Sequence, residues 1–359
     1  MIPIAKPMIG KEEIEAVNRI LESGMLTQGK EVEAFEKEFA TYIGVKNAVA
    51  VANGTAALDL ALKALGIKEG DEVITTPFTF ISTANAILYQ RARPVFADID
   101  PSTYNLDPNA VLESITPKTK AIIVVHLYGQ PCDMDAFLQI AEDHRLLLIE
   151  DCAQAHGAEF RGEKVGKFGD ASVFSFYPTK NMTTGEGGMV VTDRDEVAEK
   201  VRMLRDHGQS SKYVHEELGY NLRMTNIAAA IGRVQLRKLD LFNEKRTRNA
   251  RKMIEGLKNL KSIVLPFVDS RVKHVFNQFV VRVEERDYVA KRLSEMGIAT
   301  AVHYPKPVHH QPLYRKLGYP EEICPNAIEA SKKVLSLPVH PALSDADVER
   351  IIRALRETV

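Results

Sequence analysis

The chain has 359 residues, 45% of them hydrophobic and 26% charged, which suits a globular protein with a large domain and a smaller one. Its 47 basic and 48 acidic residues leave a formal charge of −1, which argues against a general nucleic-acid binder, and no apolar run approaches the length of a membrane span. The three cysteines, Cys132, Cys152 and Cys324, fit neither a zinc pattern nor a disulfide framework, and with no signal-peptide core at the N-terminus they predict a cytoplasmic protein without metal.

The first predicted helix runs from Glu12 to Ser23, with Ile14, Val17 and Leu21 on one face and Gly24 as its stop. A second carries Val32, Phe35 and Phe39 and ends near Gly44. The short apolar strand Ala48–Ala52 breaks at Asn53-Gly54 and passes into the helix former run Thr55–Leu65. A strand, a tight glycine turn and a buried helix leave free N–H groups and the positive dipole end beside a sheet, which suits a phosphate. An ordinary junction in which Asn53 caps the helix has the same appearance.

The alternation continues with strands at Glu72–Thr76, Pro94–Ala97, Ala121–Val125 and Leu146–Ile149, separated by helices ending at Tyr89 and spanning 133–143. Strands apolar on both faces and alternating with helices predict an α/β fold, a mostly parallel central sheet with helices on both sides. Ligands in such sheets sit at the carboxyl ends of the strands, where Gly54, Phe80 and Asp151 fall. A strand Ala171–Tyr177 stops at Pro178 and opens into a loop with Lys180, Gly185, Gly187 and Gly188. A lysine held just past a buried strand is a candidate for imine chemistry, although most lysines are solvated.

Beyond it come a strand Met189–Thr192, a helix 195–205 and a long helix with Ile227, Ile231 and Val234 on one face. The charged stretch 240–262 continues as a helical connector and divides a large domain, 1–245, from a small C-terminal α+β domain, 246–359. The small domain is predicted to have strands 275–283 and 298–303, a helix 286–296 and a last helix capped by Ser344. Its loop from His303 to Tyr314 is stiffened by proline and rich in polar rings.

Asn53-Gly54-Thr55-Ala56-Ala57-Leu58, Glu150-Asp151-Cys152-Ala153-Gln154-Ala155-His156-Gly157, Ser175-Phe176-Tyr177-Pro178-Thr179-Lys180 with Gly185-Glu186-Gly187-Gly188, Asn221-Leu222-Arg223-Met224 and Tyr304-Pro305 follow one another in register. Together they resemble the DegT/DnrJ/EryC1/StrS family of PLP-dependent sugar aminotransferases, which have the aspartate-aminotransferase fold (fold type I). The resemblance implies pyridoxal 5′-phosphate bound covalently to Lys180 and cycling through pyridoxamine 5′-phosphate, with Asp151 paired to the pyridinium nitrogen. It implies that Gln154 contacts the ring hydroxyl and Phe80 stacks on the ring, with core packing the competing role for Phe80. Gly54, Thr55 and Ser175 would take the phosphate, assisted by Asn221 from the second subunit of a homodimer. Arg223, His303, Tyr304 and His309 match positions bordering the substrate, with an ion pair the competing role for Arg223; His156 and His207 read more simply as structural histidines.

The lysine at 180, which related sugar dehydratases replace with histidine, favours transamination. The expected function is amination of a nucleotide-linked keto sugar with an amino acid, glutamate, as donor. The segments 103–108 and 300–305 resemble the branch acting on UDP-linked 3-keto sugar acids. An aminotransferase of a cyclic ketone without a nucleotide and a non-catalytic PLP-binding regulator are the alternatives.

Overall fold

The computed structural model describes residues 1–359. Seven strands form the central sheet: β1 Asn47–Val51, β2 Glu72–Thr75, β3 Arg93–Phe96, β4 Thr119–Val125, β5 Leu147–Asp151, β6 Ala171–Ser175 and β7 Gly188–Thr192. Their order is β1-β7-β6-β5-β4-β2-β3. The neighbours from β6 to β3 pair in parallel, and β7 runs antiparallel to both β6 and β1. The fold is α/β, as the alternation of elements predicts.

Side chains on successive strand residues point to opposite faces, and both faces are covered. Val49, Val51, Val173 and Val190 share one core with Ala57, Leu60 and Ala61 of the helix Gly54–Ala64. Ala48, Ala50, Phe174 and Met189 share another with Phe35 and Phe39 of the helix Lys30–Ile43 and with Leu236 and Leu239. That two-sided burial is why the strands read as continuous apolar runs. No helix is long and apolar enough to cross a membrane.

Leu236 and Leu239 lie on a 32-residue helix, Asn226–Leu257, capped by the Thr225 side chain on the N–H of Ala228. The same helix sends Ala250, Met253 and Leu257 into a third core. There they meet a three-stranded antiparallel sheet of β8 Ile263–Val264, β9 Phe279–Val283 and β10 Val334–Leu337, in the order β8-β9-β10. Val348, Ile351 and Leu355 of the last helix, Asp345–Thr358, close it. Ser344 caps this helix in a reciprocal box with Asp347. Ser344→Ala is therefore expected to destabilise the protein by about 1 kcal/mol, read as a lower midpoint in urea with an unchanged slope.

Two predicted strands differ. Residues 298–303 make only isolated bridges, Ile298 to Ile2 and Ala301 to Ser336, because the segment is shared between the N-terminus and β10. The strand expected at 275–283 begins only at Phe279, because Phe276 has φ +44° and the chain bends there. β10 and the helix Pro108–Ser114 were absent from the sequence-based expectation.

Candidate functional site

The register of the sheet assembles the site at the strands' carboxyl ends. Asp151 is the last residue of β5 and lies opposite Val125 of β4 and Val173 of β6. It is 5% exposed, and its carboxylate accepts from the Thr83 hydroxyl at 2.9 Å and the Ala153 N–H at 3.1 Å. Burial raises its pKa, while these donors and the charge of Lys180 act in the opposite sense. Lys180 is half-buried. Burial lowers its pKa below the usual 10.5, and Asp151 opposes that shift. Each group feels the other's charge, so an amine that burial helps to lose its proton shares the site with a buried acid.

A cradle forms beside them. Gly188 of β7 pairs with both Val51 of β1 and Ser175 of β6. The helix Gly54–Ala64 therefore begins against Ser175. A Cβ on Gly54 would stand 2.7 Å from the Ser175 Cβ, and one on Gly188 would stand 2.4 Å from the Asn53 carbonyl oxygen. Only glycine permits this approach. Asn53 caps the N–H of Ala56 at 2.9 Å, which leaves the first-turn N–H groups of Gly54 and Thr55 to a ligand. The Thr55 hydroxyl lies 2.9 Å from that of Ser82. Asn53 thus caps the helix, as the simpler expectation had it, and does so without occupying the amides that a phosphate would need. Gly54→Ala is expected to push the helix start away from Ser175, costing about 1–3 kcal/mol of stability, measured by its urea midpoint.

Gln154 links two aromatic groups. Its Oε1 accepts from the Tyr128 N–H at 2.9 Å, and its Nε2 donates to the Tyr304 hydroxyl at 3.0 Å. The Tyr128 hydroxyl donates to the His303 carbonyl, and His303 Nδ1 lies 2.8 Å from the Ser336 hydroxyl of β10. These bonds tie the loop at His303-Tyr304 to the end of the large sheet. Burial, helped by the positive charge of Lys180, pushes the His303 imidazole down to about 4, so it is neutral at pH 7. Phe80 is 59% exposed with its ring 6.5 Å from that of Tyr304, so it is free of the core and available to a planar ligand.

The remaining expected residues are placed differently. Asn221 is exposed and forms a bridge with Asp206. Arg223 bridges to Val51 at the edge of the sheet, and its guanidinium is ion-paired with Asp206. His309 is fully buried against Phe96 and His310, with no hydrogen bond on either nitrogen, and burial pushes it down to about 4. His156 is likewise fully buried, between Phe174 and Phe176.

Three neighbours of the site escaped the sequence reading. Thr83 and Tyr128 are polar residues within apolar surroundings and carry no motif. Glu150, beside Asp151, points the other way into the protein and is fully buried. Its carboxylate accepts from the N–H groups of Gly166, Phe168 and Gly169, from the Ser172 hydroxyl and from His126 at 3.0 Å. His126 Nδ1 accepts from the Cys132 N–H, so Nε2 carries the proton donated to Glu150. The adjacent acids Glu150 and Asp151 thus have separate tasks, one structural and one facing the ligand side. An acid directly after the apolar run Leu146–Ile149 was the available signal.

The sequence model of the DegT/DnrJ/EryC1/StrS aminotransferase family matches residues 7–356. The chain is 44% identical to the spore coat polysaccharide biosynthesis protein SpsC of Bacillus subtilis, with 100% of this chain and 97% of that protein covered. It is 43% identical to the UDP-N-acetyl-3-dehydro-alpha-D-glucosamine 3-aminotransferase of Acidithiobacillus ferrooxidans, over 97% of this chain and 94% of that protein. Its fold is similar to the crystal structure of S. venezuelae DesV in complex with a ketimine intermediate, at a TM-score of 0.94 and 43% identity, covering 96% of this chain and 94% of the other.

Proposed function

The chain belongs to the DegT/DnrJ/EryC1/StrS aminotransferase family, and on that premise we propose that it aminates a nucleotide-linked keto sugar with an amino acid, glutamate, as donor. It is a sugar aminotransferase, and aminotransferases of this family depend on PLP. When bound, PLP supplies an electron sink through which an amino group passes from one carbon skeleton to another. The observation that carries the proposal is the convergence of half-buried Lys180, buried Asp151 and the Gly54–Ser175 cradle at adjoining strand ends.

The residues present fit that cofactor, because the cradle has room only for glycine and leaves helix amides unused. Gly54, Thr55 and Ser175 hold the phosphate, and Asn221 of a second subunit reaches the same group in a homodimer. Asp151 would pair with the ring nitrogen and favour its protonated form, which would also relieve the cost of its own burial. Gln154 would hold the ring hydroxyl, and Phe80 would pack against the ring. Lys180 would hold the cofactor, and its Nζ would be the group that holds or moves a proton at the reacting carbon. The large unit, 1–245, carries these groups. The small unit, 246–359, supplies His303 and Tyr304, which border the sugar, while His309 is buried against Phe96 and His310.

The name of the Acidithiobacillus relative supports a UDP-linked 3-keto sugar as the class of acceptor. Arg223 suits a carboxylate on that sugar, which would share the guanidinium with Asp206. Incubation with glutamate and a panel of UDP-, dTDP- and GDP-linked keto sugars tests the proposal. The expected result is 2-oxoglutarate formation with the UDP-linked 3-keto sugar and a visible absorption band that glutamate bleaches. A colourless protein that takes up no PLP overturns it.

A further inference from the structure

Arg246, in the middle of the helix Asn226–Leu257, is 5% exposed and lacks a carboxylate partner; burial alone acts on its guanidinium. Its Nη1 donates to the carbonyls of Phe276 and Asn277, both at 3.3 Å, and its Nε is buried with no partner. Two long bonds to neutral carbonyls compensate a buried cation poorly. Arg246 lines a small hollow, open to solvent, whose walls also include Lys6, Lys180, Thr183 and Gln235. Three walls are basic and none is acidic. The acid nearest in the bonding network, Glu13, is already engaged by Gln235, Lys238 and the Gly10 N–H.

A concave site lined by one sign of charge concentrates the opposite ion. We propose that this hollow binds the carboxylate of the amino donor, with Arg246 as its buried anchor and Lys6 as its outer contact. The assignment to the donor rests on the aminotransferase reading above. Lys180 lines the same hollow, so a carboxylate held there brings the donor to the side of the residue that moves its proton. A guanidinium presents a fork that matches a carboxylate, and a buried one gains most from the match. The hollow is too confined for a nucleotide diphosphate, and the sugar loop at His303-Tyr304 is not among its walls.

Glutarate, a dicarboxylate with no amino group to transfer, is the probe. Titration calorimetry on the full-length protein is expected to show binding that weakens roughly tenfold or more in Arg246→Met, is partly restored in Arg246→Lys, and weakens several-fold in Lys6→Ala. Lys6 is exposed, so its removal leaves the fold intact. In turnover, both losses raise the KM for glutamate and leave that for the keto sugar unchanged. Glutarate affinity that is the same in the wild type, Arg246→Met and Lys6→Ala overturns the site. Equal competition by chloride at the same concentration overturns the donor assignment. A colourless protein whose glutarate binding still depends on Arg246 keeps the anion site and sinks the cofactor reading, whereas a yellow protein with Arg246-independent binding does the reverse.

Discussion

Lys180→Ala is expected to lower the transamination rate by roughly 10³–10⁴-fold and to abolish the visible band that glutamate bleaches. The expected effect is large because the proposed function gives one side chain both attachment of the cofactor and movement of the proton, and no neighbour replaces it. Asp151 is an acid engaged with Thr83 and Ala153, and His303 is neutral and held by Ser336. The fold should tolerate the change, since a half-buried amine without a hydrogen bond to the core is lost. An unchanged urea midpoint together with lost turnover is the expected pair of results. Turnover within tenfold of the wild type would remove Lys180 from the chemistry. The lowered pKa adds a sign: the amine reaches its neutral form at a lower pH than a free lysine does, and Asp151 limits how far that shift goes.

Glu150→Gln should give the largest loss of stability. Five donors converge on this fully buried carboxylate. An amide in its place turns an NH₂ group toward N–H groups that have no other acceptor, and breaking such a network costs about 3–5 kcal/mol. For a chain of this size that is roughly a 4–7 °C fall in Tm. Burial raises the Glu150 pKa, but the bonds from His126 and the backbone outweigh it, and the result lies below the usual 4.5. A carboxylate lowered on folding contributes stability that is fully present above its unfolded value and is lost as pH falls through the folded one. The gap between wild type and Glu150→Gln in urea should therefore be full at pH 7 and narrow below about pH 4.5. A gap independent of pH would assign the loss to packing alone.

Much of this architecture is legible in the chain. β1, β2, β4 and β5 include short apolar runs, and their burial on both faces explains why they show no alternation, whereas the edge strand β3 exposes Arg93. The groups around Lys180 lie in compact segments, so the sequence presents them almost assembled; the glycine at 188 is explained only by the nearness of Asn53. The surroundings of the three-stranded sheet are harder to read because they are built from distant pieces. Residues 298–301 take partners from Ile2 at one end and Ser336 at the other. β10 follows the helix Pro325–Lys333 directly, without a turn residue to announce it. Tyr128 adopts φ +59°, which nothing in its local sequence requests. Arg246 lies in the run Glu244-Lys245-Arg246-Thr247-Arg248, which reads as a solvated face. The inner stripe there is polar, with Asn243, Arg246 and Asn249 at helical spacing, so hydropathy conceals it.

The helix Asn226–Leu257 also bears on how the molecule comes apart. Its first half is a wall of the core on the large sheet, and its second half is a wall of the core behind β9 and β10. Neither body can melt alone without fraying a rod that the other still holds. The chain should therefore exchange its deepest amide hydrogens in a single cooperative event, with Leu239 and Met253 protected to the same degree although they belong to different cores. A cut within this rod would leave each fragment with an exposed apolar face rather than a finished fold.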